Sequence, residues 1–304
     1  MRYIVIIFCM MVLYGCRSFS ENKDERIIID FSDQDSKIPQ PNHNDSSQKL
    51  VVAFTDANTP KETFIYYEEL FGYLSQKLNC EIEFNRYKND QEIMQLLAHN
   101  AIDIALLSSG AYVMGKEKDN FELLVAPQSY NKLYCQSYII VYGFSAISNF
   151  VDLEGKSFAV MDQTTNTSKI FMDHKLRTLG FTWSRFFSST LNASSCDIAV
   201  RLVSKQVVEG ACVDGLTYEY MAVHYPEIIS RVKVIEKSVN WGTPPLVVST
   251  KMLIGMRQKL KKVLLSLHND PKGKEILMKL SIDQFFEENG DNYKPIEAFI
   301  RFTN

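Results

Sequence analysis

Residues 162–168 carry a run of hydroxyl and amide side chains, Asp-Gln-Thr-Thr-Asn-Thr-Ser, between an apolar strand pattern and a helical pattern. At the start of a helix, such side chains lie beside free backbone N–H groups and the positive end of the helix dipole. Together these groups can bind an anion without any Lys or Arg. The alternative is a polar turn that ends in an ordinary N-cap. The segment by itself favours the turn.

Other residue patterns that would indicate catalysis or metal binding are missing from the sequence. It contains no Gly-x-Ser-x-Gly elbow, P-loop, Gly-x-Gly-x-x-Gly turn or His-Glu-x-x-His pair. The five histidines are scattered, and the spacing of the six cysteines matches no zinc motif. Neighbouring carboxylates such as Glu68 and Glu69 are typical of a solvated helix face. The sequence therefore predicts a protein that is not an enzyme and needs no metal or cofactor.

Composition limits the class of protein further. Hydrophobic residues make up 46% and charged residues 23% of the 304 residues, which is typical of a globular chain with about two domains. Lys and Arg number 33 against 36 Asp and Glu, so the net charge is −3. A chain without excess positive charge is a poor partner for a row of phosphates, and we expect no binding to nucleic acid.

The N-terminal residues predict export and a lipid anchor. A short basic start and an apolar run are followed by Leu-Tyr-Gly-Cys at residues 13–16. The apolar run is too short to span a bilayer, and this ending is similar to a bacterial lipobox, in which Cys16 is acylated. We therefore expect a signal peptide at residues 1–15 and a lipidated Cys16. The alternatives are a plain signal peptide with an incidental cysteine, or a buried strand.

Residues 16–48 are rich in Ser, Asn, Asp, Gln, Lys and Pro, with one short apolar interruption. This composition buries too little apolar surface to offset the entropy lost on ordering. We expect a flexible tether that holds a globular body at a bacterial membrane, on its extracytoplasmic side.

The rest of the chain alternates strand and helix patterns. Apolar runs at residues 50–54 and 102–107 are typical of strands buried on both faces, and residues 67–78 have helical spacing. Asn89 is expected to cap a helix that continues to Ala98. The same alternation restarts after Tyr142. Such alternation indicates two α/β units built on largely parallel sheets.

From residue 49 to about 302 the chain resembles the phosphate/phosphite/phosphonate substrate-binding proteins of ABC transporters. The resemblance lies in the order of several short blocks rather than in any one of them. These blocks are Val-Val-Ala-Phe-Thr at 51–55, Glu-Leu-Phe-Gly-Tyr-Leu at 69–74, Ile-Asp-Ile-Ala at 102–105, Ala-Tyr-Val at 111–113, Leu-Glu-Gly-Lys-Ser-Phe-Ala-Val at 153–160, Asp-Ile-Ala-Val at 197–200, Val-Asp at 213–214 and Trp-Gly-Thr-Pro-Pro at 241–245.

The resemblance implies a type II periplasmic-binding fold, with a ligand cleft between two hinged α/β lobes. Residues 49–142 and 246–304 would form lobe one, and residues 143–245 lobe two. The implied function is capture of a small oxyanion by lobe closure and its delivery to an inner-membrane permease, by a protein that acts as a monomer. The alternative within the same fold is a lipoprotein that senses its ligand for a signalling receptor.

The resemblance also implies a set of ligand-binding residues. The family's anion-binding helix start falls on Thr165, Asn166, Thr167 and Ser168, and its pocket aspartate falls on Asp214. We add Thr55 and Ser109, which follow first-lobe strand patterns. A carboxylate beside an oxyanion is repulsive unless the ligand brings a proton or an amine. The alternative for Asp214 is a cap at a strand end.

Three positions depart from the family's pattern. Its pocket histidine aligns with Cys196, and its two pocket tyrosines align with Asp90 and Cys135. The two cysteines would lie one in each lobe, and a helix start would lower the pKa of Cys196. A thiophilic oxyanion such as arsenite is therefore one alternative ligand, and two buried structural cysteines are the other. A thiol enzyme is disfavoured because no histidine lies near Cys196 in the sequence.

Overall fold

The computed structural model describes residues 49–55, 63–118, 120–161 and 164–303. The predicted signal peptide, Cys16 and the tether lie outside these residues, as do Asp162 and Gln163 of the polar run. Among the helices of these four ranges, none has both the length and the apolar character that a bilayer crossing requires.

The apolar run after Lys49 forms the centre of a six-stranded sheet. Its strands are β1 (Lys49–Thr55), β2 (Glu81–Tyr87), β3 (Ile104–Leu106), β4 (Phe121–Gln128), β12 (Leu246–Ser249) and β13 (Gln284–Phe286), in the order β13-β4-β12-β3-β1-β2. β1 pairs in parallel with β2 and β3, whereas β12 is antiparallel to β3 and β4. Val52 and Ala53 are fully buried, as expected for a strand covered on both faces.

Six longer helices accompany this sheet. They are Phe64–Leu78, Asp90–Ala98, Ser109–Gly115, Ile254–Ser266, Pro271–Lys279 and Lys294–Thr303, with single turns at Leu267–Asn269 and Asp291–Tyr293. The predicted apolar face of Phe64–Leu78 is buried, including Leu70 and Leu74. The predicted cap of Asp90–Ala98 is also confirmed, because the Asn89 side chain accepts a hydrogen bond from the Glu92 N–H at 2.9 Å.

The second sheet has five strands. They are β6 (Ser137–Tyr142), β7 (Ser157–Val160), β8 (Ser189–Asn192), β9 (Gly210–Asp214) and β10 (Val232–Lys237), in the order β10-β6-β9-β7-β8. β7 is parallel to β8 and β9, and β6 is antiparallel to β9 and β10. The accompanying helices are Phe150–Leu153, Thr167–Thr178, Trp183–Phe186, Cys196–Ser204, Gly215–His224 and Pro226–Ile229.

Two short antiparallel strands lie where the chain passes between the sheets. β5 (Tyr134–Cys135) pairs with β11 (Trp241–Gly242). We call residues 49–128 with 246–303 the first lobe, residues 137–237 the second lobe, and β5 with β11 the hinge strands.

The hinge strands are bonded to the first lobe. Ser109 Oγ donates to the Gly242 carbonyl at 2.6 Å, and Thr243 Oγ1 donates to the Pro127 carbonyl at 2.7 Å. The buried Tyr293 hydroxyl donates to the Thr243 carbonyl at 2.7 Å.

The first passage between the lobes differs from the sequence expectation. Tyr142 was expected to end lobe one, but β6 belongs to the second sheet and pairs with β9 from Ser137 opposite Asp214 onward. The passage therefore lies at residues 129–136. An apolar run fits the middle of either sheet, so the sequence of β6 does not reveal its partner strands. The return passage lies at residues 238–245 and ends at residue 245, where lobe two was expected to end.

Candidate functional site

A small cavity of about 80 Å³ lies between the two lobes. The first lobe contributes Thr55, Thr63, Tyr67, Asp90, Leu106, Leu107, Ser108, Pro127, Leu280, Ser281 and Ile282, and the second contributes Asp214, Leu216, Thr217 and Tyr220. Ser129, Tyr130 and Pro244 come from the passages between the lobes. Residues of both lobes and both passages form one lining, so a ligand held here would contact both lobes.

Strand ends supply several of the polar side chains of this lining. Thr55 ends β1, Ser108 follows β3, and Asp214 ends β9. In open α/β sheets, ligands bind outside the carboxyl ends of the strands, and the cavity has this position in both lobes. Of the predicted site residues, Thr55 and Asp214 lie in the lining.

The predicted anion-binding helix start is capped by its own side chain. Asn166 precedes the helix Thr167–Thr178, and its Oδ1 accepts from the N–H groups of Ser168 at 3.0 Å and Lys169 at 3.2 Å. The Ser168 hydroxyl lies 3.2 Å from that of Ser137. Thr165, Asn166, Thr167 and Ser168 are all buried and lie outside the cavity lining, although Thr165 contacts two residues of that lining. The ordinary N-cap that was considered as the alternative is therefore observed, and anion binding by this helix start stays a prediction.

Thr165 joins the two lobes. Its carbonyl accepts a hydrogen bond from Ser108 Oγ at 3.1 Å, and its hydroxyl donates to Asp90 Oδ2 at 3.3 Å. Gly110, in the first-lobe helix Ser109–Gly115, lies against the same carbonyl so closely that an added Cβ would be 2.1 Å from the oxygen. The lobes are thus in direct contact at the rim of the cavity.

Asp90 is almost completely buried, with 1% of its surface exposed. Burial raises the pKa of its carboxyl group, and the hydrogen bonds from Ser108 and Thr165 oppose this effect. At the position where the family resemblance implies a tyrosine, this chain therefore has a carboxyl group. It accepts hydrogen bonds from Ser108 of the first lobe and Thr165 of the second.

Asp214 has two roles. Its Oδ1 caps the helix Gly215–His224 by accepting from the N–H groups of Leu216 at 2.9 Å and Thr217 at 3.3 Å, and the side chain also lines the cavity. Burial raises the pKa of Asp214 to about 6, although the two N–H groups favour the charged form. The sequence left open whether Asp214 caps a helix at a strand end or lies in a pocket. In the structure it does both, since it caps the helix Gly215–His224 and lines the cavity.

Ser109, Cys135 and Cys196 lie outside the cavity lining. Ser109 is fully buried at the hinge strands, where its hydroxyl bonds Gly242. Cys135 Sγ donates to the same Gly242 carbonyl at 3.4 Å, and Cys196 Sγ accepts from the Asp214 N–H at 3.4 Å. Each sulfur therefore has a partner within the protein.

The expected low pKa of Cys196 is wrong. Burial raises the pKa of this thiol to about 12, and burial likewise raises the pKa of Cys135 well above its ordinary value. Although Cys196 begins a helix, the cost of placing a thiolate in apolar surroundings outweighs the helix dipole, and the nearby Asp214 adds to this cost. Both groups are thiols at neutral pH and both lie outside the cavity lining, so neither observation supports the arsenite alternative.

Alkylation tests this conclusion. We expect iodoacetamide at pH 8 to leave Cys135 and Cys196 unmodified in the native full chain, and to modify both after unfolding in guanidinium chloride. The reason is that a buried, protonated thiol is a poor nucleophile. Peptide mapping by mass spectrometry reports each site separately. Rapid labelling of Cys196 in the native chain would contradict the burial and protonation described above.

Sequence reasoning missed the tyrosines of the lining. Tyr67, Tyr130 and Tyr220 all contribute to the cavity wall. The Tyr130 hydroxyl is buried beside the Ser281 side chain and makes no hydrogen bond of ordinary geometry within the described ranges, and Tyr130 has a left-handed backbone with a φ of 52°. No short motif marks this residue, since it lies in the irregular passage after β4.

Comparison with known proteins agrees with this architecture. A family model described as "ABC transporter, phosphonate, periplasmic substrate-binding protein" matches residues 52–293. A binding-protein component of an ABC phosphonate transporter from Pseudomonas aeruginosa superimposes with a TM-score of 0.75 at 17% identity, covering 84% of this chain and 87% of that one. PhnD1 from Prochlorococcus marinus, solved with methylphosphonate, gives a TM-score of 0.73 at 17% identity, covering 84% and 97%.

An ancestral arginine-binding protein has the same general fold, with a TM-score of 0.53 at 18% identity over 76% of this chain and 97% of that one. These structural likenesses confirm the predicted type II periplasmic-binding fold. The family model covers most of the chain, including both sheets and both hinge strands. The chain therefore belongs to the family of phosphonate-type periplasmic substrate-binding proteins of ABC transporters.

Proposed function

We propose that this protein captures a small ligand between its lobes by closure about the hinge strands and then delivers it to an inner-membrane permease. The cavity carries the proposal, because its lining joins Asp90 and Ser108 of the first lobe to Asp214 and Thr217 of the second. A ligand that bonds both lobes stabilises the closed arrangement, and closure gives a partner protein a surface that depends on the ligand.

The ligand proposed from the family is a small oxyanion of the phosphate, phosphite or phosphonate type. The family description and the methylphosphonate-bound relative support this class. The two carboxyl groups of the lining add a condition, since an oxyanion beside them must bring a proton or a cationic group.

We further propose that the protein acts as a monomer held at the membrane through Cys16 and the tether of residues 16–48. Family membership places the protein outside the cytoplasm. The lipobox-like residues 13–16 support the anchor. Mass spectrometry of the protein from cells should find a diacylated N-terminal Cys16, and a mature chain that begins elsewhere would exclude this anchor.

A thermal-shift screen tests ligand capture. We expect at least one of phosphate, phosphite, methylphosphonate and 2-aminoethylphosphonate to raise the melting temperature of the full chain. A ligand at 100 times its Kd stabilises the folded state by about 2.7 kcal/mol, which is readily measured. Sodium chloride at equal ionic strength is the control. If no compound shifts the transition, and small-angle scattering shows no change in lobe separation, the proposed ligand class is wrong.

A further inference from the structure

The last helix, Lys294–Thr303, follows the strands of the first lobe but contacts both lobes. It begins directly after Tyr293, a fully buried residue whose ring lies against that of Tyr112 with 4.6 Å between centroids. Further along the helix, Glu297 Oε2 accepts a hydrogen bond from Lys116 Nζ at 2.7 Å, and both side chains are mostly buried. These contacts attach the last helix to the first lobe.

The same helix packs against the second lobe through aromatic rings. The Phe299 ring lies flat on the His174 ring, with centroids 3.9 Å apart and planes inclined by only 8°. The Phe302 ring also contacts His174, at 4.9 Å, and the Phe302 carbonyl accepts a hydrogen bond from Arg177 Nη1 at 3.4 Å. His174 and Arg177 belong to the helix Thr167–Thr178, so these contacts join the two lobes.

A hinge strand takes part in this contact as well. Trp241 of β11 is almost completely buried, and its ring lies edge-on to Phe299 at 6.2 Å and to Phe171 of the second lobe at 6.4 Å. We call Phe171, His174, Trp241 and Phe299 the aromatic cluster. All four residues lie outside the cavity lining. The cluster therefore joins the last helix, the second lobe and a hinge strand without contacting the space that a ligand would fill.

The second-lobe helix of this cluster also reaches the rim of the cavity. Thr165, two residues before the helix Thr167–Thr178, bonds Ser108 and Asp90 of the first lobe. The helix and the residues before it thus contact the first lobe at two places, beside the cavity and along the helix body. Because a helix moves largely as a rigid unit, a displacement of the second lobe is transmitted between these places. A gap of about 0.5–1 Å already removes a quarter to a half of the attraction between packed atoms.

We infer that the aromatic cluster is a second closing contact, which stabilises the lobe arrangement that forms the cavity and so raises the affinity for the ligand. His174 and Phe299 are then positioning residues that act on the ligand only through lobe closure. The inference rests on the proposed function, because it concerns the closure of the same cavity. Apparent affinity is reduced in proportion to the fraction of molecules that are competent to bind, so a contact outside the cavity can set it.

Phe299→Ala removes the stacked ring from the last helix and tests the inference in the full chain. We expect the radius of gyration of the ligand-free protein to increase, because one of the two contacts between the lobes is then lost. Small-angle scattering measures this change without any ligand. We also expect the Kd for methylphosphonate at pH 7 to rise at least about tenfold in calorimetric titration, since fewer molecules are closed before binding.

Phe84→Ala is the matched control for loss of a ring. Phe84 is also a half-buried phenylalanine in an aromatic group, but its ring neighbours all belong to the first lobe. These neighbours are Phe54, Phe64 and Phe71. Phe84→Ala should lower the melting temperature while the radius of gyration and the Kd stay those of the unaltered chain, which separates a loss of stability from a loss of closure.

Substitutions of His174 examine the other side of the stack. His174→Phe retains a flat ring that can lie on Phe299, and it should leave the radius of gyration and the Kd unchanged. His174→Ala should reproduce both effects of Phe299→Ala. This pair keeps the inference falsifiable even if Phe299→Ala does not fold.

The two measurements fail separately. An unchanged radius of gyration in Phe299→Ala and His174→Ala would overturn the inference, because the lobes would then close without the cluster. Tighter binding of methylphosphonate by these variants would also overturn it, since the cluster would then oppose closure. If the unaltered chain does not bind methylphosphonate, that result counts against the proposed ligand class, and the scattering of the ligand-free variants still decides the inference.

Discussion

Gly110→Ala should hold the lobes apart and weaken ligand binding by at least a hundredfold. The new Cβ would lie 2.1 Å from the Thr165 carbonyl oxygen and 2.6 Å from Ile170 Cδ1, and both atoms belong to the second lobe. Gly110 itself lies in a first-lobe helix, where alanine is readily accommodated. Each lobe should therefore fold normally, while the closed contact becomes impossible. A hundredfold loss corresponds to about 2.7 kcal/mol.

Titration with the ligand found by the thermal-shift screen measures the loss of affinity, and small-angle scattering measures the separation of the lobes. Gly72→Ala is a matched control. Gly72 also lies in a first-lobe helix, and a Cβ added there would have no atom within 4 Å. Gly110→Ala should show a larger radius of gyration than this control. Unaltered affinity would mean that the lobes do not need the contact at Thr165 in order to bind.

Asp214→Asn should stabilise the ligand-free protein at pH 8. The folded-state pKa of Asp214 is raised to about 6 from an ordinary 3.8, so the folded protein binds this proton more readily than the unfolded chain. Ionised Asp214 therefore lowers the free energy of unfolding above pH 6, and the loss is relieved as pH falls from 6 towards 3.8. A shift of about two pKa units corresponds to about 3 kcal/mol.

Urea denaturation at pH 8 and pH 4 measures this difference. The gain from Asp214→Asn should be present in full at pH 8 and mostly lost at pH 4, where the folded state holds the proton and the unfolded chain holds it about half of the time. Asp152→Asn provides a control of opposite sign, because the N–H groups of Ser148 and Asn149 lower the pKa of the Asp152 carboxyl. Parallel pH profiles for the unaltered chain and Asp214→Asn would show that Asp214 does not carry a destabilising charge.

These two residues explain why apolar patterning alone gives an incomplete account of the cleft. A glycine within a helix and a buried aspartate each lower the stability of the lobe that contains them. The surroundings of each residue form only when two segments that are distant in the sequence come together. Gly110 contacts Thr165, and Asp214 faces a lining assembled from both lobes. The pKa of Asp214 depends on that burial, which no neighbouring residue in the sequence indicates.

The elements themselves were more accessible to sequence reasoning. Leu70 and Leu74 recur at helical spacing and are buried, and Asn89 caps its helix as expected, because these properties depend on a few adjacent residues. The sequence could not predict to which lobe β6 belongs, because the apolar pattern of a strand does not show which strand it pairs with. Cys196 shows the same limitation: its position at a helix start was visible, but the burial that raises its pKa was not.

The bonds around the hinge strands determine where the molecule pivots. Gly242 and Thr243 are bonded to Ser109, Pro127 and Tyr293, so β11 is attached to the first lobe. On the other side, Ser238 accepts from Gln136 Nε2 at 2.6 Å and from the Ser137 N–H at 2.9 Å. In the return passage, rotation must therefore be absorbed by the few backbone torsions between Ser238 and Trp241. If rotation is concentrated in so short a segment, the lobes can turn relative to each other while the strands on either side of it keep their pairing.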